Sequence, residues 1–356
     1  MKVFEIGSEY DWNSNTDFWQ TVDNEELFKD NFSTLKFLRS GRDALRFIAK
    51  ALSPVKKTVF MPALCCSCMP EPFLDEKYEI IYYKLTADFK VNVEDVLSKL
   101  KPNSIFLFMN YFAIPSLNKG DLERIVRFQN SVTTVEDITH DFLKREIETF
   151  DADITVCSIR KWFSIPDGGI LFSKVNLPEI TIEQDAFFAD KRISAMKRKS
   201  MYLLNGEIEE KNQFRAELAE ANQYIDTIKN VGAMATKSID FIKHIDLEHM
   251  YKTRLTHCRY LYDKLSGLNG MRLIGKISSE STLYFPILVE QQGDVQKKLA
   301  ERGIYAPVIW PIPKLAEGVC EIADDVSNHM LGIPCDHRYT HEEIEKVAQI
   351  IAEVVK

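Results

Sequence analysis

Three short segments hold residue types able to do chemistry. The first is Ser158-Ile159-Arg160-Lys161-Trp162-Phe163-Ser164-Ile165-Pro166-Asp167-Gly168-Gly169. A lysine amine attacks a carbonyl carbon to form a Schiff base once it is deprotonated. The neighbouring Trp162 and Phe163 predict an apolar setting that lowers the Lys161 pKa toward that state. A solvated lysine beside a turn is the rival reading. The second segment, Glu136-Asp137-Ile138-Thr139-His140, sets a carboxylate and an imidazole three residues apart. A buried Asp137 needs a cationic partner to stay charged, and a protonated pyridine nitrogen or an arginine serves. The third, Ser40-Gly41-Arg42, opens a helical pattern. Free N–H groups and the positive dipole end favour an anion such as phosphate there, and Gly41 allows close approach. Taken alone, this third segment reads first as an ordinary capped helix.

Such segments work only if strands end where they begin. Apolar runs rich in β-branched and aromatic residues occupy Thr58 to Met61, Ile80 to Tyr83, Ile105 to Met109, Val132 to Val135, Ile154 to Cys157 and Ile170 to Phe172. They predict buried strands. Helical stretches lie among them: Leu45, Ile48 and Leu52 share a face behind the N-cap Ser40, Val93 to Leu100 follows Asn92, and Leu122 to Phe128 follows Asp121. Alternation of this kind builds a sheet through βαβ crossovers, whose ligands bind at the carboxyl ends of strands. From about Lys211 to Leu268 the pattern is helical. Strand-like Leu283 to Val289, a helix near Val295 to Arg302 and strand-like Tyr305 to Trp310 follow. The last helix starts at a capping box, Thr340 with Glu343, and lines up Ile344, Val347, Ile351 and Val354. The pattern predicts a large α/β domain over residues 1–235, of which 1–35 is an N-terminal extension, and a small C-terminal α+β domain over 236–356.

A length of 356 residues agrees with two domains at roughly 150 residues each. The net charge of −8 is spread without long single-sign blocks, which disfavours nucleic-acid phosphates as partners. No apolar run approaches the roughly 20 residues that cross a bilayer, and Met1 to Asp11 has no secretion-signal pattern. Seven cysteines, three of them crowded at Cys65, Cys66 and Cys68, suit reduced thiols. The expectation is a cytoplasmic protein acting on a small molecule, with no nucleic-acid or membrane partner.

In this order and spacing, the three segments resemble the pyridoxal-phosphate enzymes of fold type I, most closely the DegT/DnrJ/StrS sugar aminotransferases. That family shows a Ser-Gly-Thr helix start, a Glu-Asp-x-x-Gln/His segment after a central strand, and a Lys followed by Glu-Gly-Gly. Ser40-Gly41-Arg42, Asp137 with His140, and Lys161 with Asp167-Gly168-Gly169 match these in turn. Pro62, the segment Asn110-Tyr111-Phe112 and the tail Met330-Leu331-Gly332-Ile333-Pro334 extend the likeness over residues 35–356. The resemblance implies a large α/β/α domain with a mixed, mostly parallel sheet, and pyridoxal 5'-phosphate as cofactor. It implies that Lys161 forms the Schiff base and then moves protons, that Asp137 keeps the pyridine nitrogen protonated, and that His140 lies near the phenolic oxygen. Gly41, Arg42 and Ser158 would hold the phosphate, while Cys66 and Asn110 would stand near the ring. The implied reaction moves an amino group from a donor such as glutamate to a keto-sugar, nucleotide-linked, in a homodimer whose second subunit completes the site.

The sequence departs from the family pattern at identifiable places. Cys66 stands where an aromatic ring is usual, Val156 and Asp167 replace a Ser and a Glu, and no Asn-Tyr-Arg segment occurs around Lys211 to Ile245. These departures leave open another pyridoxal-phosphate reaction, such as a lyase or an amino acid aminotransferase, or a binding protein on the same fold. Cys65 and Cys68 have metal-like spacing but lack a second pair, so burial behind a strand end is the simpler expectation. The basic stretch Lys191-Arg192 to Lys197-Arg198-Lys199 reads as a solvated helix face rather than an anion site. His244, His249 and His257 read as surface or core residues.

Overall fold

The computed structural model describes residues 3–13, 32–144, 152–274 and 282–356. Its elements begin with Ile6–Gly7 (β1), Thr34–Leu38 (β2), Gly41–Leu52 (α1), Thr58–Pro62 (β3), Glu71–Asp75 (α2) and Glu79–Tyr83 (β4). Val93–Lys99 (α3), Ser104–Met109 (β5), Lys119–Phe128 (α4), Thr133–Asp137 (β6), Ile154–Cys157 (β7) and Gly169–Ser173 (β8) come next. After Ile182–Glu183 (β9) the chain is helical at Phe187–Asn205 (α5) and Ile208–Thr227 (α6), then, past Val231–Gly232 (β10), at Thr236–His244 (α7) and Leu247–Leu265 (α8). Met271–Leu273 (β11), Phe285–Val289 (β12), Gln292–Glu301 (α9), Ile304–Tyr305 (β13), Glu321–His329 (α10), Met330–Ile333 (β14) and His341–Val354 (α11) complete it.

The large sheet runs β2-β8-β7-β6-β5-β3-β4. Strands β7, β6, β5, β3 and β4 pair in parallel, and β8 runs antiparallel to both β7 and β2. Every residue of β3, β5, β7 and β8 is buried, as continuous apolar runs covered on both faces must be. The six strands predicted for this sheet all form, five of them with ends shifted by one or two residues. Helix α4 starts earlier than predicted because Asn118, not Asp121, caps it and accepts the Asp121 N–H at 2.9 Å. Strand β2 is not among the predicted strands although Thr34-Leu35-Lys36-Phe37 alternates polar and apolar residues; it pairs antiparallel along β8.

A second sheet, β11-β12-β14, is antiparallel and packs against α9 and α10, with α11 against α8 and α9. The capping box forms as read: the Thr340 hydroxyl accepts the Glu343 N–H and the Glu343 carboxylate accepts the Thr340 N–H at 2.9 Å. The stretch Tyr305 to Trp310 is not a strand as predicted. Ile304–Tyr305 pairs with β1, Val308 makes a single antiparallel bridge to Leu331 of β14, and the irregular chain between and beyond them carries Trp310 to the cleft. Helix α5 also differs from the solvated face expected of its basic run. Arg192 and Lys199 are buried, Arg192 pairing with Glu9 at 2.7 Å and Lys199 with Glu5 at 3.2 Å, while Lys191 and Arg198 pair with glutamates of α6. These contacts tie the N-terminal segment across α5. Among the described residues no helix is long and apolar enough to cross a membrane.

Candidate active site

The carboxyl ends of β2, β3, β6 and β7 surround one cleft. Ser40, Gly41 and Arg42 enter it after β2, Cys66 and Cys68 after β3, Asp137 and His140 at and beyond the end of β6, and Ser158 and Lys161 after β7. Two glycines make the approach possible. A Cβ on Gly169 would lie 2.1 Å from the Ser40 carbonyl oxygen, and one on Gly41 would lie 2.9 Å from the Ser158 Cβ. The start of α1 is therefore pressed onto the β7 and β8 ends, with its first N–H groups turned out of the helix.

A buried charge network fixes that helix start. Asp43 accepts two hydrogen bonds from Arg39, at 2.7 and 3.2 Å, one from the Ser40 hydroxyl at 2.5 Å and one from the Gly232 N–H at 3.0 Å. The Ser40 oxygen in turn accepts the Asp43 N–H, closing the N-cap. Arg42 lines the cleft, but its guanidinium is ion-paired with Asp226 at 2.7 Å and bonds the Ile225 carbonyl. Backbone, more than guanidinium, faces the anion position.

Lys161 is set by what lies beneath it. Trp162 is fully buried, donates its indole N–H to the Thr139 carbonyl at 2.7 Å and sits under the Arg254 guanidinium at 4.6 Å. The Thr139 hydroxyl also accepts the Ser158 N–H at 2.9 Å, so the segments after β6 and β7 are stitched together. Trp162 and Phe163 pack into a core cluster with Phe142 and Phe241 rather than around the Lys161 amine, contrary to the apolar sleeve expected. Among the described residues, the amine itself has no hydrogen bond or ion pair.

Asp137 closes β6 opposite Met109 and Val156. One oxygen accepts the Thr139 N–H at 2.8 Å, and burial raises its pKa, opposed by that bond and by the charge of Lys161. His140 is buried and held neutral, its pKa pushed down to about 3 by burial and by Lys161, and its Nδ1 is enclosed without a partner. Asn110 does not line the cleft. It lies in an adjoining polar cluster, donating to Glu136 at 3.1 Å and Asp141 at 2.8 Å and accepting the Ser116 N–H.

Sequence reasoning missed Trp310, which lines the same cleft with its ring 4.9 Å from that of His140. It thus supplies an aromatic wall where Cys66 has none. No local pattern signals this, because the segment arrives from 170 positions further along the chain. Of the three clustered thiols only Cys65 is core, as expected of all three. Cys66 and Cys68 line the cleft, their sulfurs 3.0 Å apart. The hydrogen bond from Cys68 holds the Cys66 thiol down to about 6, with burial opposing and Lys161 assisting. Iodoacetamide at pH 7.5 is therefore expected to modify Cys66 first among the seven cysteines, with a rate that rises through pH 6 and flattens above 7. Peptide mapping over a pH series checks this; a midpoint near the ~8.5 of ordinary thiols would contradict it.

The cleft offers an amine, a buried carboxylate and an enclosed imidazole nitrogen that have no cation and no hydrogen-bond partner, respectively, among the described residues, and a helix start beside a serine hydroxyl. No protein-family model matches the sequence, and no curated protein matches it. Solved structures do match it in fold. A putative sugar aminotransferase from Streptococcus pneumoniae in its PMP form aligns at a TM-score of 0.67 with 13% identity, over 100% of this chain and 98% of that one. The chain has the fold of an aminotransferase. NtdA from Bacillus subtilis with bound PMP aligns at 0.63 with 17% identity, covering 93% of this chain and 74% of that one. A DegT DnrJ EryC1 StrS aminotransferase from Brucella abortus aligns at 0.59 with 14% identity, covering 92% and 86%. The architecture is fold type I: an α/β arrangement with a mixed, mostly parallel sheet.

Proposed function

We propose that the protein is a pyridoxal-phosphate-dependent aminotransferase that moves an amino group from an amino acid, glutamate, to a nucleotide-linked keto-sugar in amino-sugar or surface-polysaccharide biosynthesis. The observation that carries this reading is that Lys161, Asp137 and the start of α1 line one cleft, on a fold shared with sugar aminotransferases. The donor set fits the cofactor group by group. Among the described residues the enclosed His140 Nδ1 has no partner and Asp137 has no bonded cation, and the Gly41 helix start beside Ser158 suits a phosphate. The cleft, about 90 Å³, shares Arg160 and Lys161 as lining residues with a cavity of about 610 Å³.

When bound, the cofactor supplies an electron sink for the carbon that gains or loses the amine. The chain's residues then divide the work. Asp137 keeps a proton on the ring nitrogen by holding negative charge beside it, and the new cation offsets the burial that raises its own pKa. The Lys161 Nζ would hold the ring and would take the proton from, or return it to, the substrate carbon that bears the amine. His140 would offer a neutral imidazole to the group's phenolic oxygen. Gly41 and Arg42 N–H groups and the Ser158 hydroxyl hold the phosphate. A homodimer in the cytoplasm is part of the same reading, supported by the family resemblance.

The test is amine transfer itself. Protein loaded with pyridoxal phosphate, glutamate and a panel of nucleotide-linked keto-sugars should yield an amino-sugar product by mass spectrometry. Asp137→Ala should slow it about 100-fold or more. Transfer to none of the sugars, or undiminished transfer by Asp137→Ala, would refute the reading.

A further inference from the structure

Arg160 stands at the neck between the two cavities and lines both. The other arginines around it each hold at least one oxygen partner, although Nε and Nη1 of Arg192 and Nε of Arg254 are unpartnered among the described residues. Arg39 pairs with Asp43 and Asp185, Arg192 with Glu9, and Arg338 with Asp336, while Arg254 bonds the Tyr10 hydroxyl and the Thr282 and Leu283 carbonyls. Among the described residues Arg160 has no ion pair or side-chain hydrogen bond, and its enclosed Nε is unpartnered. Burial and the neighbouring Arg192 charge both disfavour its positive charge, with Glu9 and Cys68 only partly offsetting them. A cation left this way is costly unless something outside the protein answers it.

The outer cavity shows what would answer it. Among the described residues Arg160, Lys161, Arg254, Lys297 and Arg338 bring positive charge to its walls, against Glu9 and Asp336, in a chain whose net charge is −8. Its volume of about 610 Å³ lies within the range of small-ligand sites. Low-dielectric walls of one sign concentrate counter-charge. A guanidinium, flat and forked, binds carboxylate or phosphate oxygens in pairs.

We propose that Arg160 is a specificity-determining residue that binds an anionic group, carboxylate or phosphate, of the substrate entering from the outer cavity toward Lys161. The proposal rests on the aminotransferase reading for what happens next at Lys161, but the anion site itself is a property of this chain. One consequence is that neutral analogues of an accepted substrate enter poorly, because they leave the guanidinium unanswered.

Calorimetric titration tests this with two unreactive anions, glutarate and inorganic pyrophosphate, on protein loaded with pyridoxal phosphate. Wild type should bind at least one of them. Arg160→Gln should weaken that binding about tenfold or more, and Arg160→Lys should recover part of it. The visible cofactor band and the thermal midpoint should not change in either variant. Preference for glutarate assigns a carboxylate to the site; preference for pyrophosphate assigns a phosphate. Equal affinity in wild type and Arg160→Gln, or no binding of either anion to wild type, overturns the proposal. Loss of the cofactor band in Arg160→Gln alone also overturns it, by moving Arg160 to the cofactor. A wild type that takes no cofactor but binds an anion through Arg160 leaves the site standing while the aminotransferase reading falls.

Discussion

Lys161→Ala is expected to lower amine transfer by about 1,000-fold or more while leaving the fold intact. The size follows from position. The amine lines the inner cleft together with Asp137, His140 and Ser158, so under the proposed function its loss would remove both the anchoring group and the group that moves protons. Intactness follows from its contacts. No hydrogen bond or ion pair ends on the amine among the described residues, and the loop is held by the buried Trp162 and by Ser158, not by Lys161. The thermal midpoint of Lys161→Ala should therefore stay within a few degrees of wild type when both lack added cofactor. Undiminished turnover in this variant would remove the central assignment. A collapsed midpoint would show instead that the amine supports the fold.

Asp43→Ala should produce the largest loss of stability among substitutions near the site, about 3 kcal/mol, and on the order of 4 °C in midpoint for a chain of this size. Its carboxylate gathers four hydrogen bonds from Arg39, Ser40 and Gly232, and removing it leaves Arg39, a fully buried cation, with Asp185 and Asn230 as partners. The retained Asp185 contact keeps the loss at the lower end of the range for broken buried pairs. The same change loosens Ser40 as N-cap, so cofactor affinity should fall together with stability. Asp226→Ala is the control. It also removes an arginine partner, at 2.7 Å from Arg42, but that carboxylate is 60% exposed, and the cost should stay below ~1 kcal/mol. Thermal unfolding of the three proteins side by side reads the difference; equal losses for both variants would contradict a buried network at the helix start.

Much of this arrangement can be read from the sequence because its information is local. A strand in the middle of a parallel sheet is apolar on both faces, so β3, β5 and β7 declare themselves as short unbroken runs. The residues after such runs fall at the carboxyl edge, which is enough to gather Asp137, His140, Ser158 and Lys161. The capping box at Thr340 and Glu343 spans four residues and needs no tertiary information. Trp310, Arg160 and α5 follow a different logic. Trp310 reaches the cleft on an irregular segment that has an apolar, strand-like composition, and nothing in that composition fixes where the segment goes. Arg160 is distinctive only for the carboxylates it lacks, and those are distributed over the whole chain. Arg192 looks like part of a solvated basic run because its partner, Glu9, lies 183 residues away. Propensity describes the face of a helix; burial is decided by what folds back onto it.

Attachment of the cofactor to Lys161 is the central claim, and one measurement meets it directly. The protein is purified with pyridoxal phosphate, its visible spectrum is recorded, the sample is reduced with borohydride, and the modified peptide is mapped by mass spectrometry. The account predicts a yellow band that disappears on reduction and a phosphopyridoxyl group on Lys161 alone. No band and no adduct, or an adduct on another lysine while Lys161 stays unmodified, would contradict it.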